Sequence, residues 1–124
     1  MGLEVESYQS PVDNLFVVSQ IPVESDVMTI LTGQGVLKRG TVLGKVTASG
    51  KGKLVDNSLA DGAEKVFAIL AADVDTTDAD VEGVVYLSGA YNTNALTFGG
   101  DDTAADHKDF ARTLSIYFKQ AVSA

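Results

Sequence analysis

The 124-residue sequence contains no cysteine and no tryptophan, and it has only two prolines and one histidine. Without cysteine the chain forms no disulfide and offers no thiolate to a metal ion, which fits a protein made in a reducing compartment. Its apolar runs fall far short of the roughly 20 residues that a membrane helix needs. The first residues, MGLEVESYQS, lack the basic and then apolar pattern of a signal peptide. We therefore predict neither export nor a membrane partner.

Positive charge is also scarce. Nine Lys and Arg residues stand against seventeen Asp and Glu residues, which gives a formal net charge of −8. A surface of this average sign repels the phosphates of nucleic acid, so direct nucleic-acid binding is not expected. The length leaves room for one domain, and twelve glycines indicate many turns.

The chain is organised around a glycine-rich stretch at 37–54, LKRGTVLGKVTASGKGKL. Apolar and polar residues alternate over 41–47, and a second short run follows at 53–55. This pattern predicts two antiparallel strands joined by a turn at 49–52. Glycines recur before and within the stretch, and they indicate sharp bends or close approaches between backbones. They stand at positions 33, 35, 40, 44, 50 and 52.

Other runs predict further strands and one helix. The strands are expected at 27–31, 66–74, 84–87 and 115–119, and the almost wholly apolar run 66–74 is expected to be the most buried. An acidic loop is predicted at 73–82, and Gly89 with residues 92–94 is predicted to form the exit from the strand at 84–87. A helix is predicted at 103–113, because Asp102 or Thr103 can cap it and Asp106 and Asp109 favour its N-terminal end. The fold class is therefore mainly β, a small domain of antiparallel strands with one short C-terminal helix.

The first twenty residues are predicted to form a flexible N-terminal arm, and residues 21–124 the β-rich domain. Four apolar residues, Leu15, Phe16, Val17 and Val18, lie at the root of this arm. They either form a first strand of the domain or dock on a partner and become ordered there, as extended peptides do at a sheet edge. Both alternatives can hold in different states.

Three patterns that suggest ligand sites are incomplete. The Gly33–Gly35 pair lacks the third glycine of a dinucleotide fingerprint, and the Gly35–Gly40 spacing of a phosphate loop is followed by Thr41 where lysine is needed. We predict turn glycines at these positions. The acidic string, Asp73, Asp75, Asp78, Asp80 and Glu82, begins like a calcium loop, but Gly89 stands where the bidentate glutamate belongs. A solvated acidic loop is predicted instead, with no metal and no cofactor.

Catalysis has no recognisable signal. His107 is expected on the exposed, polar side of the predicted helix, and no serine stands in a nucleophile-elbow context, so we predict that the chain is not an enzyme. Five cations concentrate near the hairpin: Lys38, Arg39, Lys45, Lys51 and Lys53. They either keep exposed strands soluble, which we favour, or contact an acidic partner surface.

Four successive stretches together resemble one known family. They are VMTILTGQGVLKRGTVLGKVTASGKGKL at 27–54, ADGAEKVFAILAADVDT at 60–76, VVYLSGAYNTNAL at 84–96 and HKDFARTLSIYFK at 107–119. In this order and spacing they are similar to the head decoration proteins of lambda-like tailed phages and prophages.

The resemblance implies a β-clip or tulip-like domain that assembles as a homotrimer. Such a trimer would bind the outside of the expanded head at local three-fold sites and clamp subunits of the major capsid protein against the pressure of packaged DNA. The protein would be made in the cytoplasm of the bacterial host and reside on the outer surface of the virion. Its arm would become ordered by pairing with capsid strands. The capsid-binding residues would be Tyr8, Pro11, Leu15, Phe16, Val17 and Val18.

Two other classes stay open at this stage. One is a β-clip enzyme or enzyme subunit of the nucleotide-hydrolase type. The other is a carbohydrate-binding surface module, for which Tyr91 beside Asn92 and Asn94 is the best aromatic platform, although we favour a packing role for Tyr91 in the core or a trimer contact.

Overall fold

A computed structural model describes residues 14–120 of the chain. Within this range the strands are β1 (Ser25–Ile30), β2 (Val36–Leu37), β3 (Val42–Lys45), β4 (Gly52–Leu54), β5 (Val66–Leu70), β6 (Val74–Asp75), β7 (Val81–Tyr86), β8 (Gly89–Asn92) and β9 (Ile116–Lys119). A short 3-10 helix spans Thr93–Ala95, and one α-helix, α1, spans Ala104–Arg112. The fold is mainly β with one short C-terminal helix, as predicted. No helix in the described range is long and apolar enough to cross a membrane.

Five strands close into a barrel in the order β1, β4, β3, β5, β7. The predicted hairpin is confirmed, because β3 and β4 pair antiparallel with Leu43 opposite Leu54. Most barrel pairs are antiparallel, but β1 and β4 meet in parallel where Ile30 lies opposite Gly52. The barrel thus joins the hairpin to the predicted strands at 27–31, 66–74 and 84–87.

The run 66–74 is not one strand, contrary to the prediction. Its first half is β5, whereas its last residue begins β6, which pairs antiparallel with β2. The chain turns between them, where the Asp73 carboxylate accepts a hydrogen bond from the Arg39 backbone N–H at 2.8 Å. The region 73–82 is likewise not wholly a loop, since it holds β6 and the start of β7. The burial expected of the run is found in β5, where Ala68, Ile69 and Leu70 are inaccessible to solvent.

Outside the barrel, β8 and β9 form a small parallel sheet with Gly89 opposite Ile116. The closing strand predicted at 115–119 is confirmed as β9. The prediction of an exit was wrong for Gly89 and Asn92, which begin and end β8. The partner that makes this segment a strand is β9, more than twenty residues further along the chain. We call residues 14–18 and residues 89–120, which include β8, α1 and β9, the terminal region.

Helix α1 begins where the sequence predicts. Thr103 is its N-cap, and the Thr103 backbone N–H donates to the Asp106 carboxylate at 2.7 Å, as in a capping box. Asp106 also lies in the first turn, where negative charge is favourable.

The buried apolar residues form two clusters. One joins strands of the barrel to β2, which lies outside the barrel and contributes Leu37: Ile30, Leu37, Leu43, Ala68, Leu70 and Val85. The other joins the barrel to the terminal region: Leu15, Val42, Val55, Val66, Ile69, Tyr91, Ala111, Ile116 and Phe118. The second cluster therefore fixes the terminal region onto the barrel by apolar burial.

Candidate functional site

Residues 14–18, which we call the arm root, lie along the free side of β8. The Asn92 backbone N–H donates to the Leu15 carbonyl at 2.8 Å, and the Val17 N–H donates to the Ala90 carbonyl at 3.1 Å. Between these bonds Phe16 and Tyr91 form a single antiparallel bridge. The position at which the preceding thirteen residues join the domain is thereby fixed.

The side chains of the arm root point in different directions. Leu15 is 3% exposed and belongs to the core. The Phe16 ring lies 5.1 Å from the ring of Tyr86 and 5.2 Å from that of Tyr91, measured between centroids, yet is 39% exposed. Val18 is fully exposed.

These placements bear on the apolar run Leu15–Val18 predicted for the arm. Leu15 and Phe16 pack against the domain, as the first of the two alternatives expected, although as one bridge and not as a strand. Tyr8 and Pro11 lie outside the described residues.

Tyr91, proposed as a carbohydrate platform, is fully buried. Its hydroxyl donates to the Ser88 carbonyl, and burial raises the pKa of the hydroxyl above its ordinary value. Asn92 is also buried, and its side-chain amide donates to the Asn14 carbonyl at 3.1 Å. The prediction of core packing is confirmed, and the carbohydrate platform at Tyr91 is wrong, because a buried ring presents no face to a sugar.

His107 is buried, whereas the sequence placed it on an exposed face. His107 Nε2 lies 2.6 Å from Asp102 Oδ2, and the two side chains are 4% and 2% exposed. The same carboxylate oxygen accepts from the Asn57 backbone N–H at 2.8 Å. The Phe98 ring stacks on the imidazole at 5.7 Å with 3° between their planes.

The segment before α1 thus covers a helix face that would otherwise be open to solvent. Asp102, which the sequence suggested as a helix cap, instead links His107 to the connection that follows β4. Because the pair is enclosed, it holds α1 in place and is not accessible to a substrate. An acid five residues before the histidine was the one sequence signal that could have suggested this.

The glycines of the incomplete ligand motifs are turn residues, as predicted. Gly33, Gly35 and Gly40 have φ values of +87°, +71° and +96°. At Gly40 a Cβ atom would clash with the backbone oxygen of Ala95, so this glycine also permits a close approach between two backbones. Among residues 14–120 no three His, Asp or Glu side chains are grouped so as to hold a metal ion.

The cations near the hairpin are occupied by contacts within the chain. Lys38, Lys51 and Lys53 form ion pairs with Asp73, Asp80 and Asp61 at 3.5, 2.6 and 2.9 Å, respectively. The Lys45 ammonium lies 4.9 Å from the centre of the Phe67 ring. One guanidinium nitrogen of Arg39 donates to the Ala71 carbonyl and to the Tyr86 hydroxyl.

These ion pairs also change the acidity of the carboxyl groups. The Lys51 ammonium, followed by the Thr32 backbone N–H, lowers the pKa of Asp80. The Lys53 ammonium and the Ala63 N–H do the same for Asp61. Part of the predicted acidic loop is therefore neutralised by the hairpin.

Three further exposed cations lie in the terminal region. Lys108 and Arg112 on α1 and Lys119 on β9 line a groove of about 620 Å³ together with Tyr117, Phe118 and Gln120. None of the three cations forms an ion pair with a described residue. We call this surface the basic groove. Sequence reasoning missed it, because these cations are separated in the sequence and meet only when β9 packs beside α1.

The described part of the chain is thus a small β protein in which the buried polar groups serve packing. Its exposed features include the arm root and the basic groove. This arrangement is typical of a structural or binding protein. The family model of the bacteriophage lambda head decoration protein D matches residues 6–115, and the chain belongs to this family. No curated protein sequence matches the chain. The family confirms the resemblance seen in the sequence and assigns the chain to the structural proteins of the phage capsid.

Proposed function

We propose that this head decoration protein binds the outside of the expanded phage head as a homotrimer at local three-fold sites and stabilises the shell against internal DNA pressure. The observation that carries the proposal is the family match, which begins at residue 6. It includes most of the N-terminal segment as well as the domain.

The arm root suggests how the arm acts. Leu15 is buried and the Val17 N–H is bonded to β8, so the anchored end of the arm is already ordered before any partner binds. A preorganised anchor lowers the entropic cost of binding. We propose that the residues before Asn14, including Tyr8 and Pro11, add a strand to an exposed sheet edge of the capsid subunit. In this arrangement Leu15 anchors the arm in the domain. Among the residues of the arm root, Phe16, Val17 and the exposed Val18 lie nearest the shell.

Assembly as a trimer strengthens this mode of binding. Three arms on one particle raise the avidity without any single contact being strong, provided that all three sites are reachable at once. Binding only to the expanded lattice stabilises that lattice by mass action. A net charge of −8 also disfavours contact with the packaged DNA, which fits a place on the outer surface of the head.

The experiment compares the intact chain with two truncations in co-sedimentation with expanded empty heads. We expect the intact protein, of about 39 kDa as a trimer of 13.0 kDa chains by light scattering, to pellet with the heads. Deletion of residues 1–13 should abolish pelleting and leave the melting temperature unchanged, because the deletion ends before the buried Leu15. Deletion of residues 1–5, which precede the family match, is the control and should retain binding.

Three results would contradict the proposal. A folded intact protein that stays in the supernatant would refute binding to the head. A mass near 13 kDa at all concentrations would refute the trimer. Full binding after deletion of residues 1–13 would refute the role of the arm.

A further inference from the structure

The charge of the described surface is distributed unevenly. The protein carries an excess of eight negative charges, and the hairpin cations are engaged by carboxylates, rings or carbonyls within the chain. Lys65 lies over the Phe110 ring at 5.3 Å. The three cations without such a contact among the described residues, Lys108, Arg112 and Lys119, all line the basic groove. Any electrostatic attraction for an acidic partner is therefore concentrated there.

The arrangement on the helix and strand makes the groove a single surface. Lys108 and Arg112 are four residues apart on α1, so they lie on the same face one turn from each other. Lys119 is the last residue of β9, and all three side chains are exposed.

The strand that lines the groove offers backbone groups as well as charge. Within residues 14–120, β9 pairs only with β8, so its other edge has no strand beside it. An unpaired strand edge accepts an extended segment through main-chain hydrogen bonds. An extended segment that carries carboxylates would form hydrogen bonds with the backbone groups of this edge and ion pairs with the three cations at the same time.

The groove lies close to the arm root. Residues 15–17 bond to one side of β8, β9 bonds to the other side, and residues of β9 line the groove. With neighbouring strands about 4.8 Å apart, the arm root and β9 are separated by about 10 Å. A capsid subunit held by the arm is therefore within reach of the groove.

We infer that the basic groove and the outer edge of β9 form a second docking site, which accepts an extended, carboxylate-bearing segment of the capsid subunit. This inference rests on the proposed function and adds a contact separate from the arm. The site places the terminal region against the shell and leaves the barrel outside the contact.

The test uses two triple variants with the same change in charge. In the groove variant Lys108, Arg112 and Lys119 are replaced by Gln, and in the control variant Lys38, Lys51 and Lys53 are replaced by Gln. Binding to expanded empty heads is measured by co-sedimentation at low and high salt, with melting curves and light scattering on the free proteins. We expect the groove variant to bind about tenfold more weakly at low salt and to lose part of the salt dependence, whereas the control variant keeps both. Hydrogen exchange of residues 115–120 should slow on binding of the intact protein.

Each other outcome overturns a defined statement. Equal weakening in both variants would mean that net charge alone causes the effect. Unchanged binding of the groove variant would mean that the groove is not part of the interface. A change in the particle mass of the groove variant would assign the groove to a contact between copies of this chain. Unchanged hydrogen exchange at 115–120 would refute pairing at the edge of β9. Absence of binding by the intact protein would instead refute the decoration function, and this docking site with it.

Discussion

In the barrel, lysines and aspartates of neighbouring strands and loops form partly exposed ion pairs. In the terminal region, the histidine–aspartate contact is enclosed and the cations are exposed. Lys51 and Asp80 lie 2.6 Å apart and remain partly exposed. Asp102 and His107 are at the same distance but are enclosed. The barrel also closes on itself, while β9 presents an edge that no described strand covers.

The difference shows how one part of a small acidic domain can satisfy its charges and strand edges internally while another part stays available to bind a partner. Internal pairing of charges and closure of the sheet leave the barrel with few groups that need a partner. In the terminal region the buried pair holds α1 in place, so that the exposed cations of α1 stay in a fixed position beside β9. The comparison therefore predicts that changes at the junction or in the buried pair destabilise the fold, and that changes at barrel ion pairs mainly affect how stability depends on pH.

The junction between the two regions should give the largest effect. Gly40 donates its N–H to the Leu70 carbonyl, accepts from the Thr97 N–H, and leaves no space for a Cβ beside Ala95. We expect Gly40→Ala to lower the free energy of unfolding by about 4 kcal/mol, from positive φ and from the clash with a backbone oxygen.

Gly33→Ala is the matched control for this junction, because Gly33 also has positive φ but has no atom within 4 Å of the added Cβ. It should cost only about 1 to 2 kcal/mol. Urea unfolding of both variants measures the difference. Equal losses would mean that the two regions do not depend on close contact at Gly40.

The buried pair should give the next largest effect. His107→Ala leaves the Asp102 carboxylate without its side-chain partner in a closed site and removes the ring that stacks on Phe98. We expect the free energy of unfolding to fall by about 3 kcal/mol.

Lys108→Ala serves as the control for the buried pair, because Lys108 is on the same helix but is exposed and forms no ion pair with residues 14–120. It should change stability by less than about 0.5 kcal/mol. Both variants are compared by urea unfolding. A small effect of His107→Ala would show that the pair does not hold α1.

The two regions also differ in how far the sequence predicted them. The hairpin, the helix with its Thr103 cap, and strand β9 follow from local alternation, glycine positions and capping residues, and all three are confirmed. Strand β8 was missed, because Ala90 and Tyr91 become a strand only through pairing with distant residues. The burial of His107 was missed for the same reason, since it depends on Asp102 and Phe98 folding over the helix.

The candidate site was predicted less completely than the fold. The sequence indicated an apolar run at the arm root, but no local pattern shows that Leu15 is buried while Val18 is exposed. The basic groove could not be predicted, because Lys108 and Lys119 become neighbours only in the folded chain. The role in the phage head was predicted from the family resemblance. Residue spacing and composition alone did not indicate it.

The exposed ion pairs of the barrel should give the smallest effect, which appears in how the stability of the fold depends on pH. The pKa of Asp80 is lowered in the folded protein from its ordinary value of 3.8, first by the Lys51 ammonium and then by the Thr32 N–H. A lowered folded pKa means that the pair stabilises the fold above pH 3.8 and that this contribution is lost as the pH falls through the folded pKa.

We therefore expect Asp80→Asn to lower the melting temperature slightly at pH 6 and to reduce its further fall between pH 5 and about pH 2. Asp78→Asn removes the same charge from the same loop without either of the Asp80 contacts, and it should retain the acid sensitivity of the unmodified protein. Melting curves across this pH range compare the two variants. If both variants respond alike, the loop affects stability through its total charge and not through the specific Lys51–Asp80 pair. Specific ion pairing would then no longer distinguish the barrel from the terminal region.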